Sequence, residues 1–286
     1  MGRAMVQDKE TDEDNDETVE LVRSINLDPN RLCTHALYRF VHDYRETVRF
    51  FFFTVTLATR SDKMRLIASK ALAEVGAKPE HIEVYDEVQA NPSPVFDQLK
   101  KYGSIQSQNL VLRATNAFLL YYSEIIQAAI FKRPEILKSK QTIRWDELLG
   151  FTRFDDVVRY LIDKKVNELS YAGLGQMEEF MFERLGLAGS ITDEQRALTA
   201  ILVEIRNIYT HNRGVVNGIF LARVENHMGF HFVDGKYFHV DLDMFSRLSG
   251  NCLEVAYAID EAVAKKFGLK RKRYVAWRGP KKKGGS

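Results

Sequence analysis

Cysteine is nearly absent: the 286 residues contain two, Cys33 and Cys252, far apart in the chain. Such a pair is no disulfide framework, so the fold must rest on its core, and a reducing cytosol is the simplest compartment. Long apolar runs are missing as well. The most apolar stretch, FFFFTVTLA from Phe50 to Ala58, lies between Arg49 and Arg60. It is far shorter than the roughly 20 residues a membrane helix needs. No secretory leader is visible, because the N-terminal stretch turns acidic where an apolar segment would stand. There is no Walker-type Gly-Lys-Ser/Thr run and no G-x-S-x-G elbow, which argues against NTPase and α/β-hydrolase chemistry. No internal repeat is seen. These absences lead to the expectation of a cytoplasmic protein that makes no membrane contact.

Apolar residues make up 45% of the chain and aromatic residues 11%. That is enough for a sizeable core in one large or two small domains. The formal net charge is only +2, but the two ends differ sharply. Asp8 to Glu20 reads DKETDEDNDETVE, whereas from Lys265 onward there are ten Lys or Arg and no Asp or Glu. Blocks of like charge are usually solvated. Residues 1–28 are therefore expected to be an acidic disordered tail and residues 270–286 a basic tail, flanking an N-terminal helical region (29–100) and a helical bundle (103–268).

Periodicity supports an all-α, multi-helix bundle. Leu32, Ala36/Leu37, Phe40/Val41, Tyr44, Val48, Phe51/Phe52 and Val55 follow a three-or-four spacing and predict a long helix entered at Asp28-Pro29. The alternation from Phe53 to Leu57 also fits a strand. Ser61 to Ala77 reads as a second helix, with Ser61 as N-cap and Gly76 near its end. ANPSPV, Ala90 to Val95, predicts a connection. Further helices are expected from Ser104 to a stop before Pro134, from Arg153 to Leu169, from Gly175 to Leu187, and from Thr192 to Tyr209. The last of these opens on Thr192 with Gln195 at the capping-box position. Asp234-Gly235 between two alternating runs predicts a small β-hairpin inserted before the final helix, Asp241 to Phe267, which Gly268 ends.

The stretch EIRNIYTHNRGVVN, Glu204 to Asn217, closes one of these helices. Asn207 and His211 are four apart and share a helix face, about 6 Å apart along the axis. Arg206 is one residue round, with a side chain long enough to swing toward the same place. Histidine titrates in the range a general base needs, and arginine matches phosphate oxygens while staying charged. A side-chain amide can orient either one. The trio suits cleavage of an RNA phosphodiester by its own 2′-hydroxyl, a reaction that requires no metal. The plain alternative is a helix end in which Arg206 pairs with a carboxylate of the bundle and His211 caps the last carbonyls.

Arginine, a polar residue, three more residues and histidine, in an all-helical setting, resembles the HEPN (higher eukaryotes and prokaryotes nucleotide-binding) superfamily. RNIYTH carries the motif, and the following NRGVVN is similar to its extended form in many bacterial members. The resemblance spans roughly residues 103–267 and leaves 31–100 uncovered. It implies a metal-independent endoribonuclease that leaves a 2′,3′-cyclic phosphate and needs no cofactor. It also implies a homodimer in which two Arg/His motifs face one another to form one composite cleft. By this carry-over Arg206 and His211 are catalytic and Asn207 supports them, with Asn212 and Arg213 as RNA contacts at the rim. Many such nucleases are toxins or antiviral-defence effectors, some held by an antitoxin or sensor partner. Other members lack activity and serve as nucleotide- or RNA-binding or dimerisation modules.

Other constellations carry less. His227, His231 and His239 fall in a predicted turn and strand with no cysteine nearby, so cross-strand packing is the better reading than a metal site. His35 and His42 share a face of the first helix and are read as part of its packing or solvated surface. The adjacent pairs Asp155/Asp156 and Glu178/Glu179 do not converge on one point, as a glycosidase would require. In the basic stretch, Lys270, Arg271, Lys272 and Arg273 are followed by Tyr274 and Trp277. Such a mixture suits single-stranded RNA, whose phosphates the charges track and whose bases the rings stack on.

Overall fold

A computed structural model of the protein describes residues 28–75, 79–138, 145–224 and 228–277. The acidic stretch before Asp28, the stop expected at Gly76, His227 and residues 278–286 lie outside the described residues. The protein is mostly helical, with one short antiparallel pair of strands.

In chain order, β1 (Leu32–Cys33) precedes α1 (His35–Glu74), α2 (Pro79–Ala90), α3 (Pro94–Lys101) and α4 (Gly103–Lys132). Then come α5 (Trp145–Leu149), α6 (Phe154–Ala172), α7 (Leu174–Glu179), α8 (Asp193–His211), α9 (Gly218–Arg223), α10 (Leu242–Phe267) and β2 (Lys272–Arg273). The described residues divide into two compact units, one within 28–41, 120–191 and 254–277, the other within 42–119 and 192–253. The units interleave along the chain rather than meeting at a single boundary, because α1, α4 and α10 each contribute to both.

The first unit closes its core around Leu37, Phe40, Tyr121, Ile125, Ile162 and Ile259, all buried. Its strands pair Leu32 with Arg273 and Cys33 with Lys272. Here the expectation of a basic tail from residue 270 is corrected, for residues 270–277 are folded. Tyr274 is buried, its N–H donates to the Arg31 carbonyl (3.0 Å), and the Trp277 indole N–H donates to the Cys33 carbonyl (3.0 Å). The aromatic residues that punctuate the basic run have an apolar surface of their own chain to cover, and that burial outweighs solvating the stretch as a coil.

The second unit packs Tyr44, Val48, Phe118, Ile201, Leu202 and Leu248. The Tyr44 and Ser249 hydroxyls are hydrogen bonded at 2.7 Å, and the Asn251 amide donates to the Gln195 carbonyl (2.9 Å) and the Thr199 hydroxyl (3.0 Å). The break expected at Ser61 is not there, and the alternating Phe53–Leu57 stretch is helical. α1 runs through both as one helix of 40 residues. Neither proline nor glycine interrupts it, and the Thr59 hydroxyl bonds back to the Val55 and Thr56 carbonyls. Asp62 anchors the start of α3, its carboxylate accepting the N–H groups of Val95 (3.1 Å) and Phe96 (2.9 Å).

The expected hairpin is also corrected. Asp234-Gly235 does form a tight turn, with Lys236 N–H donating to the Val233 carbonyl (3.1 Å) and Gly235 at φ 72°. The arm after the turn does not pair with the arm before it. It pairs with the segment that comes after α8, where Val215 and Tyr237 form an antiparallel bridge.

Candidate functional site

α8 starts where the sequence indicates. Thr192 accepts from Gln195 N–H (3.1 Å), and the Gln195 side chain accepts from Thr192 N–H (3.0 Å), completing a capping box. Leu198, Ile201, Leu202, Ile205 and Ile208 face the core, which leaves Arg206 and Asn207 half-buried at its edge and His211 exposed in the last helical position.

Arg206 is held by amides. Its Nε donates to Asn116 Oδ1 on α4 at 3.0 Å, and one Nη1–H donates to Asn207 Oδ1 at 3.1 Å. Among the described residues no carboxylate lies within ion-pair distance of it. The guanidinium has five N–H donors. Two are taken here, so it keeps its full charge and three donors in a fixed orientation. The charge-paired arginine of the plain alternative is not what α8 displays.

The His211 side chain makes no hydrogen bond or ion pair among the described residues. The chain turns away just beyond it. Arg213 and Gly214 both take left-handed conformations, φ 51° and 79°. The first is unusual for a side-chain-bearing residue and costs on the order of 1 kcal/mol. Gly214 N–H donates to the Ile208 carbonyl (2.9 Å), which stops the helix. Glycine is required there, because a Cβ would collide with the Tyr237 ring.

That ring belongs to a small buttress. Tyr237 stacks on Tyr209 with centroids 6.4 Å apart, and its hydroxyl is hydrogen bonded to Ser104 Oγ (2.8 Å) and Gln108 Nε2 (2.8 Å) on α4. The Tyr209 hydroxyl donates to the Phe238 carbonyl (3.1 Å) and accepts from Val240 N–H (3.2 Å). Burial, and next the neighbouring Tyr237, pushes the Tyr209 phenol well above its ordinary range, so it stays protonated and structural. Val216 N–H donates to the Lys236 carbonyl (2.9 Å), and Phe238 N–H to the Gly214 carbonyl (2.8 Å). The end of α8 is thus clamped from two sides.

Of the expected site residues, Arg206 and Asn207 are brought into contact. His211 is on the same helix but not in their network, since five residues of helix turn it about 140° from Arg206 and carry it about 7.5 Å along the axis. Asn212 closes the loop through its own amide, which donates to the Val215 carbonyl (2.6 Å), while Arg213 is exposed. Asn116 was not legible in the sequence. It is ninety positions away and one residue off the apolar face of α4, and a lone asparagine there carries no signal.

Of the basic residues expected to bind RNA, Lys270 and Arg273 are exposed, but Arg271 and Lys272 are engaged within the first unit. Arg271 Nη2 donates to the Leu32 carbonyl (2.7 Å), and Lys272 Nζ lies over the Trp277 ring, 4.5 Å from its centroid. Arg271 Nε is 3.7 Å from Asp260, near enough for an ion pair but too far for a hydrogen bond. His231 and His239 are both exposed and take no part in a strand ladder. Among the described residues no group of three or more His, Cys, Asp and Glu is placed to hold a metal ion, and no helix is long and apolar enough to cross a membrane. In comparisons with known proteins, no family model, no curated protein and no solved structure matches the chain.

Proposed function

We propose that the protein is a HEPN-like endoribonuclease that cuts RNA by attack of the 2′-hydroxyl on the adjacent phosphorus, leaving a 2′,3′-cyclic phosphate. The observation that carries this reading is the uncancelled charge of Arg206, held by Asn116 and Asn207 rather than by a carboxylate. Its remaining donors can take two non-bridging oxygens and stabilise the charge that builds on them in the transition state. His211, exposed at the helix end, accepts the 2′ proton, and the departing 5′ oxygen takes a proton from water. Asn207 and Asn116 are positioning residues for the guanidinium.

The angle between Arg206 and His211 supports a site made by two copies. Arg206 of one and His211 of the other then converge on one phosphate, as the resemblance implies. The same angle favours a second reading, in which Arg206 binds an RNA phosphate and nothing is cut.

The test uses a mixed RNA pool in EDTA with wild type, Arg206→Ala and His211→Ala. Wild type is expected to produce cyclic-phosphate ends, and either variant to lose about 10²- to 10⁴-fold in rate. A mixture of the two inactive variants should regain part of the activity, because a mixed pair contains one intact combination of Arg206 and His211. Equal cleavage by all three proteins overturns the reading. RNA binding that depends on Arg206 without any cleavage selects the binding module.

A further inference from the structure

The outer face of α1 is unexplained by its own unit. Ala58, Asp62 and Ser69 are buried on one side of this helix. On the opposite side Phe50, Phe53, Leu57, Met64 and Ile67 are between 50% and 69% exposed. With Arg60 among them they follow a strict three-four spacing over Phe50–Ile67, which exposed Ala71 extends by a further step. A seam of period 3.5 is the pattern with which one helix packs along another, whereas a helix packing into its own globular unit shows a broader stripe of period 3.6.

We infer that this seam is the self-association surface of the protein, packing against the same seam of a second copy. The size fits. The five apolar side chains expose about 600 Å² per copy, and the stems of flanking Arg49, Lys63 and Lys70 can extend this toward the roughly 800 Å² each partner gives to a stable interface. The flanking charges permit it. Arg49 is paired with Glu46 (3.2 Å) and Lys70 with Glu74 (3.9 Å) along the same helix, so two of the flanking bases carry their own counter-charge. Arg60 is the one charge in the apolar row, and a single polar residue in such a seam sets its register at some loss of stability. The surface lies outside the stretch that resembles HEPN proteins, and the inference stands without the nuclease reading.

The experiment is sedimentation of the full chain across a wide concentration range, comparing wild type, Phe53→Glu/Met64→Glu and Leu72→Glu. Leu72 is 51% exposed and one residue off the seam. Wild type and Leu72→Glu are expected to dimerise alike. The double variant should weaken the dimer by at least about 30-fold, as removal of an interface hot spot does, with a thermal melt unchanged at concentrations where wild type is also monomeric, because both residues face solvent in the single chain. A monomeric wild type, or a double variant that dimerises as tightly as wild type, overturns the inference. A monomeric wild type that binds vesicles of phosphatidylserine and phosphatidylcholine through Phe53 and Met64 assigns the face to lipid instead.

Discussion

Two guanidinium groups in this molecule are held in opposite ways. Arg271, in the first unit, faces the buried Asp260, whose carboxylate also accepts from the N–H (3.2 Å) and the hydroxyl of Thr34 at the start of α1. There charge meets charge. Arg206, in the second unit, meets two neutral amide oxygens. Both arrangements fix an arginine in place, but only the second leaves its charge free to act on something outside the chain. A structural arginine is best neutralised, and one that must bind an anion is best oriented without being neutralised.

Breaking the first arrangement should produce the largest change in stability. Asp260→Ala leaves the Thr34 groups without their acceptor and the Arg271 cation without its counter-charge, and is expected to destabilise the protein by about 3–5 kcal/mol in a denaturant melt. A loss below about 1 kcal/mol would mean that the network is not a structural lock. Asn116→Asp converts the second arrangement into the first by placing a carboxylate 3.0 Å from Arg206 Nε. RNA affinity in a filter-binding titration should fall about tenfold, equivalent to 1.4 kcal/mol, with little change in stability. Unchanged affinity would separate the Arg206 charge from RNA.

The smallest effect is on the pH dependence of stability. Burial pushes the Asp260 carboxyl up, and hydrogen bonds from Thr34 and the charge of Arg271 only partly oppose it. The folded chain therefore holds this proton more tightly than the unfolded chain does. The resulting stabilisation is complete below the ordinary carboxylate value, about 3.9, and is lost as pH rises through the folded value. Asp260→Asn should accordingly lose less stability than wild type between mildly acid and neutral pH. Parallel profiles would show that the carboxyl is not raised. The neighbouring Cys33 thiol, pushed up to about 11 chiefly by burial and next by Asp260, stays neutral over this whole range and does not blur the comparison.

Helix starts and stops with a local chemical cause were legible in the sequence. The Thr192/Gln195 capping box opens α8, Asp241 Oδ1 accepts Met244 N–H (2.8 Å) at the start of α10, and Gly268 takes φ 65° at its end. What depends on distant partners was not. Ser61 looks like a cap, but a cap matters only where a helix begins, and α1 passes through it. Asp234-Gly235 turned the chain as its residue types require, yet the pairing partner was set by Tyr237 reaching Tyr209 and α4. Tyr274 and Trp277 suited RNA bases by composition as well as they suited the surface beside β1. In the candidate site, Arg206 and Asn207 could be proposed from their spacing, but Asn116 could not, because helical periodicity says nothing about which face of α4 meets α8.

The buttress behind Gly214 also bears on how far the motif could be moved. Residues 204–217 look like a portable cassette, a helix end with its histidine that could be grafted onto any scaffold. They are half of one. The carbonyl of Gly214 and both backbone groups of Val216 are satisfied by residues 235–238, and Gly214 has no side chain because Tyr237 occupies that space. A graft that leaves 233–240 behind would carry the letters of the motif and lose the direction in which His211 points. The inheritable unit is two segments separated by fifteen residues.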